Sequence, residues 1–141
     1  MGLAWPIPRF TDKDDGTVKD NLTGLIWLKD AYCFGDKPWA TALSDCNGLA
    51  DGSCGLTDVS VAGDWRLPNI KELQSLCDYG QIDPAFPSEH PFNNVGSYGY
   101  WSSTTRPDLT EYAYVFNIYN GGIPIDNKTK TFRVWPVRGG N

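Results

Sequence analysis

Residues 63–76, GDWRLPNIKELQSL, constrain this chain more than any other stretch. Pro68 disfavours helical dihedrals at Leu67, so the run leading into it is held extended. Asn69 and Glu72 then stand at the Asn-x-x-Glu spacing, in which the Asn side chain accepts from the Glu72 amide and the Glu side chain reaches back to the Asn69 amide. A helix is predicted to start there. Ile70, Leu73, Leu76 and Cys77 form its apolar stripe, and Gly80 is its predicted stop. Arg66 reads as a half-buried structural arginine that requires a carboxylate, Asp64 or Glu72. The helix is a packing element; nothing on it reacts.

With 141 residues the chain has the length of one domain, read here as an extension over residues 1–8 and a domain over 9–141. Six Trp, seven Tyr and six Phe supply enough large apolar surface for a core. No run of apolar residues is long enough for a membrane span. The opening Met-Gly-Leu-Ala lacks the basic and apolar regions of an export signal. The net charge of −5 divides into −7 over residues 1–105 and +2 over 106–141. That total argues against non-specific nucleic-acid binding.

Cys33, Cys46, Cys54 and Cys77 are an even set without a Cys-x-x-Cys pair, and the one histidine, His90, is remote. Disulfides and an oxidising compartment are therefore expected rather than a metal site. Cys46 and Cys77 lie on the apolar stripes of two predicted helices, so they can pair if the helices are neighbours, which leaves Cys33 with Cys54. The other two connectivities stay open on spacing alone.

Residues 9–11 and 17–20 flank Asp12-Lys13-Asp14-Asp15-Gly16 and read as a hairpin. Asp12, Asp14, Asp15 and Asp20 depart from the calcium-loop spacing and are expected to cap their own backbone. Residues 21–24 return the chain into Leu25-Ile26-Trp27-Leu28, a buried strand. A first helix follows, with Asp36 as its cap, Pro38 in its first turn and Trp39, Ala42, Leu43, Cys46, Leu49 and Ala50 on one stripe. Residues 81–99 read as a long loop ordered by its prolines, Phe86 and Phe92, with His90 an ordinary loop histidine. The remainder is β-rich: strands over 100–105 and 112–119, a turn at Asn120-Gly121-Gly122, a strand over 123–126, a reversal at 127–129 and a last strand over 131–137, with Pro136 at an edge or bulge. Trp27, Trp39, Trp65 and Trp101 are assigned to the core.

The segments DGTVKDNLTGLIWLKDA, WATALSDCNGLA, AGDWRLPNIKELQSLCDYG, YWSSTT and VWPVRGG, in that order, resemble the C-terminal domain of Legionella collagen-like protein and its bacterial relatives over residues 9–140. The resemblance implies an α+β, C-type-lectin-like domain: two helices packed on a mostly antiparallel, twisted β-sheet with long loops. It further implies an exported adhesion or recognition module, secreted or held at the cell surface, without a cofactor. Its partners would be a glycan or a surface protein, sulfated glycans being the adhesin's ligand class, and a homotrimer is the implied assembly. This chain departs by its net acidity and by Trp135 where the motif often carries arginine. The Glu-Pro-Asn and Trp-Asn-Asp signature of calcium-dependent lectins is absent.

The expected binding face lies between residues 98 and 128, where Tyr98, Arg106, Asp108, Tyr119, Asn120, Asp126, Asn127 and Lys128 sit near turns. Aromatic faces there stack on sugar rings or fill pockets, and the polar groups give directional hydrogen bonds. Turn chemistry and solvation are the competing explanation for the polar members. Two rival functions are a self-associating domain of a surface or phage-like assembly and an enzyme of the formylglycine-generating type. The latter needs a reactive thiol pair or metal-held thiolates, and no nucleophile–base set accompanies the cysteines. No catalysis is expected.

Overall fold

The computed structural model describes residues 8–78, 86–87, 90–96 and 99–139. The chain is α+β. The opening hairpin forms as its turn residues dictate, with β1 (Phe10–Asp12) antiparallel to β2 (Thr17–Asp20), and β2 antiparallel to β3 (Ile26–Leu28). Gly16 closes the hairpin turn at φ +87°, and a Cβ there would fall 2.6 Å from the Gly55 carbonyl oxygen, so only glycine allows this approach. The Asp20 carboxylate is fully buried and accepts from Arg9 Nε at 2.7 Å and Nη2 at 2.8 Å. Arg9 Nη2 also donates to the Ser75 carbonyl at 2.8 Å, tying the hairpin to the end of the second helix.

Asp36 is not a helix cap. It starts the two-residue strand β4 (Asp36–Lys37), and Pro38 occupies the cap position of α1 (Trp39–Asn47). The second helix, α2 (Ile70–Gln74), carries the full reciprocal cap: Glu72 N–H donates to Asn69 Oδ1 at 2.8 Å and Asn69 N–H to Glu72 Oε1 at 2.9 Å. It is shorter than its apolar stripe, and its predicted stop at Gly80 lies outside the described residues.

The C-terminal strands are β5 (Gly99–Thr105), β6 (Tyr112–Asn117), β7 (Ile125–Asn127), β8 (Phe132–Arg133) and β9 (Val137–Arg138). They do not form one sheet. A five-stranded sheet runs β4-β8-β5-β6-β7 and is antiparallel except for the β5–β8 pair, whereas β9 joins β3 in a four-stranded antiparallel sheet ordered β1-β2-β3-β9. The strand expected over 131–137 is thus broken in two. Val134, Trp135 and Pro136 carry the chain from one sheet to the other, all three buried, and the Pro136 carbonyl accepts from Leu28 N–H at 3.1 Å.

Successive residues of a strand face opposite sides, and the core follows that rule. On one side of the five-stranded sheet Tyr100 and Phe116 join Trp27, Trp65, Trp135, Leu73 and the rest of the larger cluster; on the other, Trp101, Ala113 and Val115 join Ala42 and Cys46 of α1. Trp135 is the hub, with Trp27, Phe86, Phe92 and Tyr100 all within 5.0–5.8 Å of its ring. Of the four tryptophans assigned to the core, Trp27, Trp65 and Trp101 are fully buried, and Trp39 is half-buried at the start of α1.

Cys33 and Cys54 are joined, with Cα atoms 5.8 Å apart. The expected Cys46–Cys77 bridge does not exist. Cys46 lies in the cluster under α1 and Cys77 in the larger cluster, so the five-stranded sheet stands between them. Both helices do lie on that sheet, but on opposite faces.

Candidate functional site

The β6 strand separates the predicted binding residues into two groups. At one end, Arg106 leaves β5 and pairs with Asp108, Nε to Oδ1 at 2.6 Å, which holds the Asp108 carboxyl below its ordinary range. Lys128 comes alongside from the β7–β8 turn: its N–H donates to the Glu111 carbonyl at 3.0 Å and its Nζ to the Thr110 carbonyl at 2.8 Å. The same ammonium lies 3.9 Å from the centre of the Trp39 ring, a cation–π contact, while Trp39 Nε1 donates to the Ser102 carbonyl at 2.9 Å. Asp126 and Asn127 complete this group. Asp126 Oδ1 accepts from the Asn127 amide at 2.8 Å, and Asn127 Oδ1 accepts from the Thr129 amide and hydroxyl.

Tyr119 and Asn120 stand at the other end, in the β6–β7 turn. Six residues of extended strand put the two groups roughly 17 Å apart. The turn is closed on itself: Asn117 Oδ1 accepts from Tyr119 N–H at 3.0 Å, Asn120 Oδ1 from Gly122 N–H at 2.9 Å, and the Asn117 carbonyl from Gly121 N–H at 2.7 Å. Tyr119 is 43 % exposed and Ile123 38 %. Tyr98 lies outside the described residues.

Trp39, which the sequence assigned to the core, and Ile123 belong to these surfaces but were not among the expected binding residues. Trp39 sits on an apolar helical stripe and so resembles core. Its partial exposure follows from its place at the first turn of α1, where the Trp39 amide donates to the Lys128 carbonyl at 3.1 Å.

A separate open cleft of about 590 Å³ lies between the first hairpin and the disulfide loop, lined by Asp12, Asp14, Lys29, Asp30 and Asn93 among others. Its Asp12 and Asp30 carboxylates are already engaged. Asp12 accepts from the Asp14 amide at 2.9 Å and from Lys29 Nζ at 2.6 Å, and the lysine bond lowers the Asp12 pKa. Asp15 accepts from the Thr17 amide and hydroxyl, and Asp30 Oδ1 from the Tyr32 amide and Asn94 Nδ2. Asp12, Asp15 and Asp20 cap nearby backbone amides, as their turn positions predict. Among the described residues no group of three His, Cys, Asp or Glu is arranged to hold a metal ion.

His90 Nδ1 accepts from the Phe92 amide at 3.2 Å, and its ring lies 4.9 Å from Phe86 and 5.9 Å from Phe92. Burial there pushes its pKa down. The residues beside it at 88–89 lie outside the described set.

No helix among the described residues is long and apolar enough to cross a membrane. Comparison with curated proteins finds no match. The family model described as the Lcl C-terminal domain matches residues 16–138, from the hairpin turn through β9. With the capped second helix, the five-stranded sheet and the terminal crossover all inside that span, the chain belongs to the Lcl C-terminal domain family.

Proposed function

We propose that this domain is a non-catalytic recognition module working outside the cell, built on a C-type-lectin-like scaffold, that binds a glycan or a surface protein through the β6–β7 turn. The observation that carries the reading is the state of Tyr119. The residue is 43 % exposed on a turn whose Tyr119 and Gly122 amides are taken by Asn117 and Asn120, so an aromatic side chain is presented on a backbone with little left to order on binding. Membership of the family and the Cys33–Cys54 bridge, which suits an oxidising compartment, support an exported module. The Lys128–Trp39 end is a less available surface, because its ammonium and ring face are already committed to each other.

The test is a glycan array that includes sulfated polysaccharides, probed with the domain displayed multivalently, with and without chelator. Chelator-insensitive binding that Tyr119→Ala lowers at least tenfold, with an unchanged melting temperature, supports the reading. Binding indifferent to Tyr119→Ala removes this turn as the site. A silent array with folded protein removes the glycan and leaves a surface protein as the ligand.

A further inference from the structure

Among the described residues, Val59 and Val61 are the two most exposed large apolar side chains, at 88 % and 61 %. Val59 also has φ +56°, the left-handed region that a β-branched side chain resists. Glycine or asparagine would take that backbone more easily and would show water less hydrocarbon. Neither valine side chain serves the fold's interior.

The loop that carries them is held firmly. Asp51 Oδ2 accepts from Val59 N–H at 2.7 Å, the Ser60 carbonyl from Asp51 N–H at 3.0 Å, and Asp64 Oδ2 from Val61 N–H at 2.9 Å. The Ser60 hydroxyl accepts from Trp65 Nε1 at 3.2 Å and donates to Asp58, and Arg138 anchors Asp58 at 3.2 Å. These bonds use backbone and polar groups, leaving both valines projecting from a fixed frame. A strained residue that its surroundings over-determine is the pattern of a functional position.

Charge identifies what the tip fits. Of the loop's aspartates, Asp58 is neutralised by Arg138, whereas Asp51 and Asp64 have no basic side chain paired with them among the described residues. Asp51 and Asp64 are exposed beside the valines. An anionic lipid surface or a nucleic acid is repelled by this arrangement. We infer that the 57–63 loop is a second interaction surface, which seats Val59 and Val61 in an apolar pocket of a protein partner whose rim carries lysine or arginine. Such an anchor within a charged ring is how compact protein contacts are built. It is a separate surface from the Tyr119 turn.

The test uses the whole folded domain as bait for a phage-displayed library of disulfide-constrained peptides, with Val59→Ser/Val61→Ser as the comparison bait. Both valines are exposed, so the double variant folds. The expected winners combine apolar residues with Lys or Arg, bind the double variant at least tenfold more weakly, weaken as salt rises, and bind Tyr119→Ala unchanged. Enrichment of peptides that bind the double variant equally, enrichment of acidic peptides, or no enrichment overturns the inference. Sedimentation equilibrium on both proteins closes the remaining route: self-association lost in the double variant makes a second copy the occupant and overturns the separate partner.

Discussion

Arg66 and Glu72 form a two-bonded ion pair, Nη1 to Oε1 at 2.5 Å and Nη2 to Oε2 at 2.6 Å, while the same Glu72 Oε1 accepts from the Asn69 amide at 2.9 Å. One carboxylate therefore caps α2 and fixes the arginine that reaches the Gly139 carbonyl at 2.9 Å. The helix start and the segment just after β9 are joined through a single side chain. Glu72→Ala should cost about 2 kcal/mol, roughly half from the cap and half from the lost charge-assisted bonds. Arg66→Ala should cost less, about 1 kcal/mol, because its side chain is 39 % exposed and water screens the pair. Denaturant titration of both variants checks the order, and an unchanged midpoint for Arg66→Ala would refute the structural role.

The single bridge sets the thiol chemistry. Ellman's reagent should find two thiols in the unfolded, unreduced protein and almost none in the native one, because Cys46 and Cys77 are both buried. Burial first, and then the Asp45 charge, pushes the Cys46 thiol far above its ordinary pKa, so thiolate is scarce at neutral pH. Cys33→Ser/Cys54→Ser should lower stability by about 3 kcal/mol, the chain-entropy value for a loop of this size. Four thiols in the unreduced, unfolded sample would show the bridge absent.

Acid should weaken the domain through His90. Its folded pKa is lowered by burial, so the unfolded chain takes up a proton that the folded one refuses. Stability is then unaffected above the ordinary histidine pKa. It falls as pH drops below that value, until the lowered folded pKa is passed. Protonation would also remove the Nδ1 acceptor for the Phe92 amide. Urea midpoints measured between about pH 7.5 and 5 should decline for the native chain and flatten for His90→Asn, which keeps an acceptor but cannot titrate. Parallel slopes would assign the decline to other groups.

Val59→Asn should stabilise the domain. Asparagine adopts the left-handed conformation more readily, and removing the strain is worth about 1 kcal/mol, or a rise of a few degrees in Tm. A lower Tm would mean that the valine side chain has an intramolecular role.

The local signals translated well. Turn residues located the first hairpin, the Asn69–Glu72 spacing gave the reciprocal cap, and the need of Arg66 for a carboxylate was met by Glu72. What failed was long-range. Cys46 and Cys77 both sit on apolar stripes, but a stripe does not record which face of a sheet it covers, and here the faces are opposite. Likewise the apolar run over 131–137 reads as one strand, because nothing in the order Val134-Trp135-Pro136 says that the two ends pair with different sheets. The binding candidates were placed by turn chemistry, which finds turns correctly and is silent on which end of the sheet each one occupies. Val59 was invisible for a related reason: its exposure and positive φ belong to a loop whose shape comes from Asp51, Asp58, Asp64, Trp65 and Arg138 together.

Trp135 lies 5.3 Å from Trp27 and gives its indole proton to the Leu28 carbonyl, across 107 positions of chain. During synthesis, the hairpin and α1 emerge with their apolar faces uncovered, and Trp135, which seals the larger cluster, follows Leu28 by 107 positions. Contacts of such long separation close late and slowly. Until translation has passed Trp135 the larger cluster stays open to water, and a premature stop ahead of that residue leaves Trp27 and the hairpin without their lid.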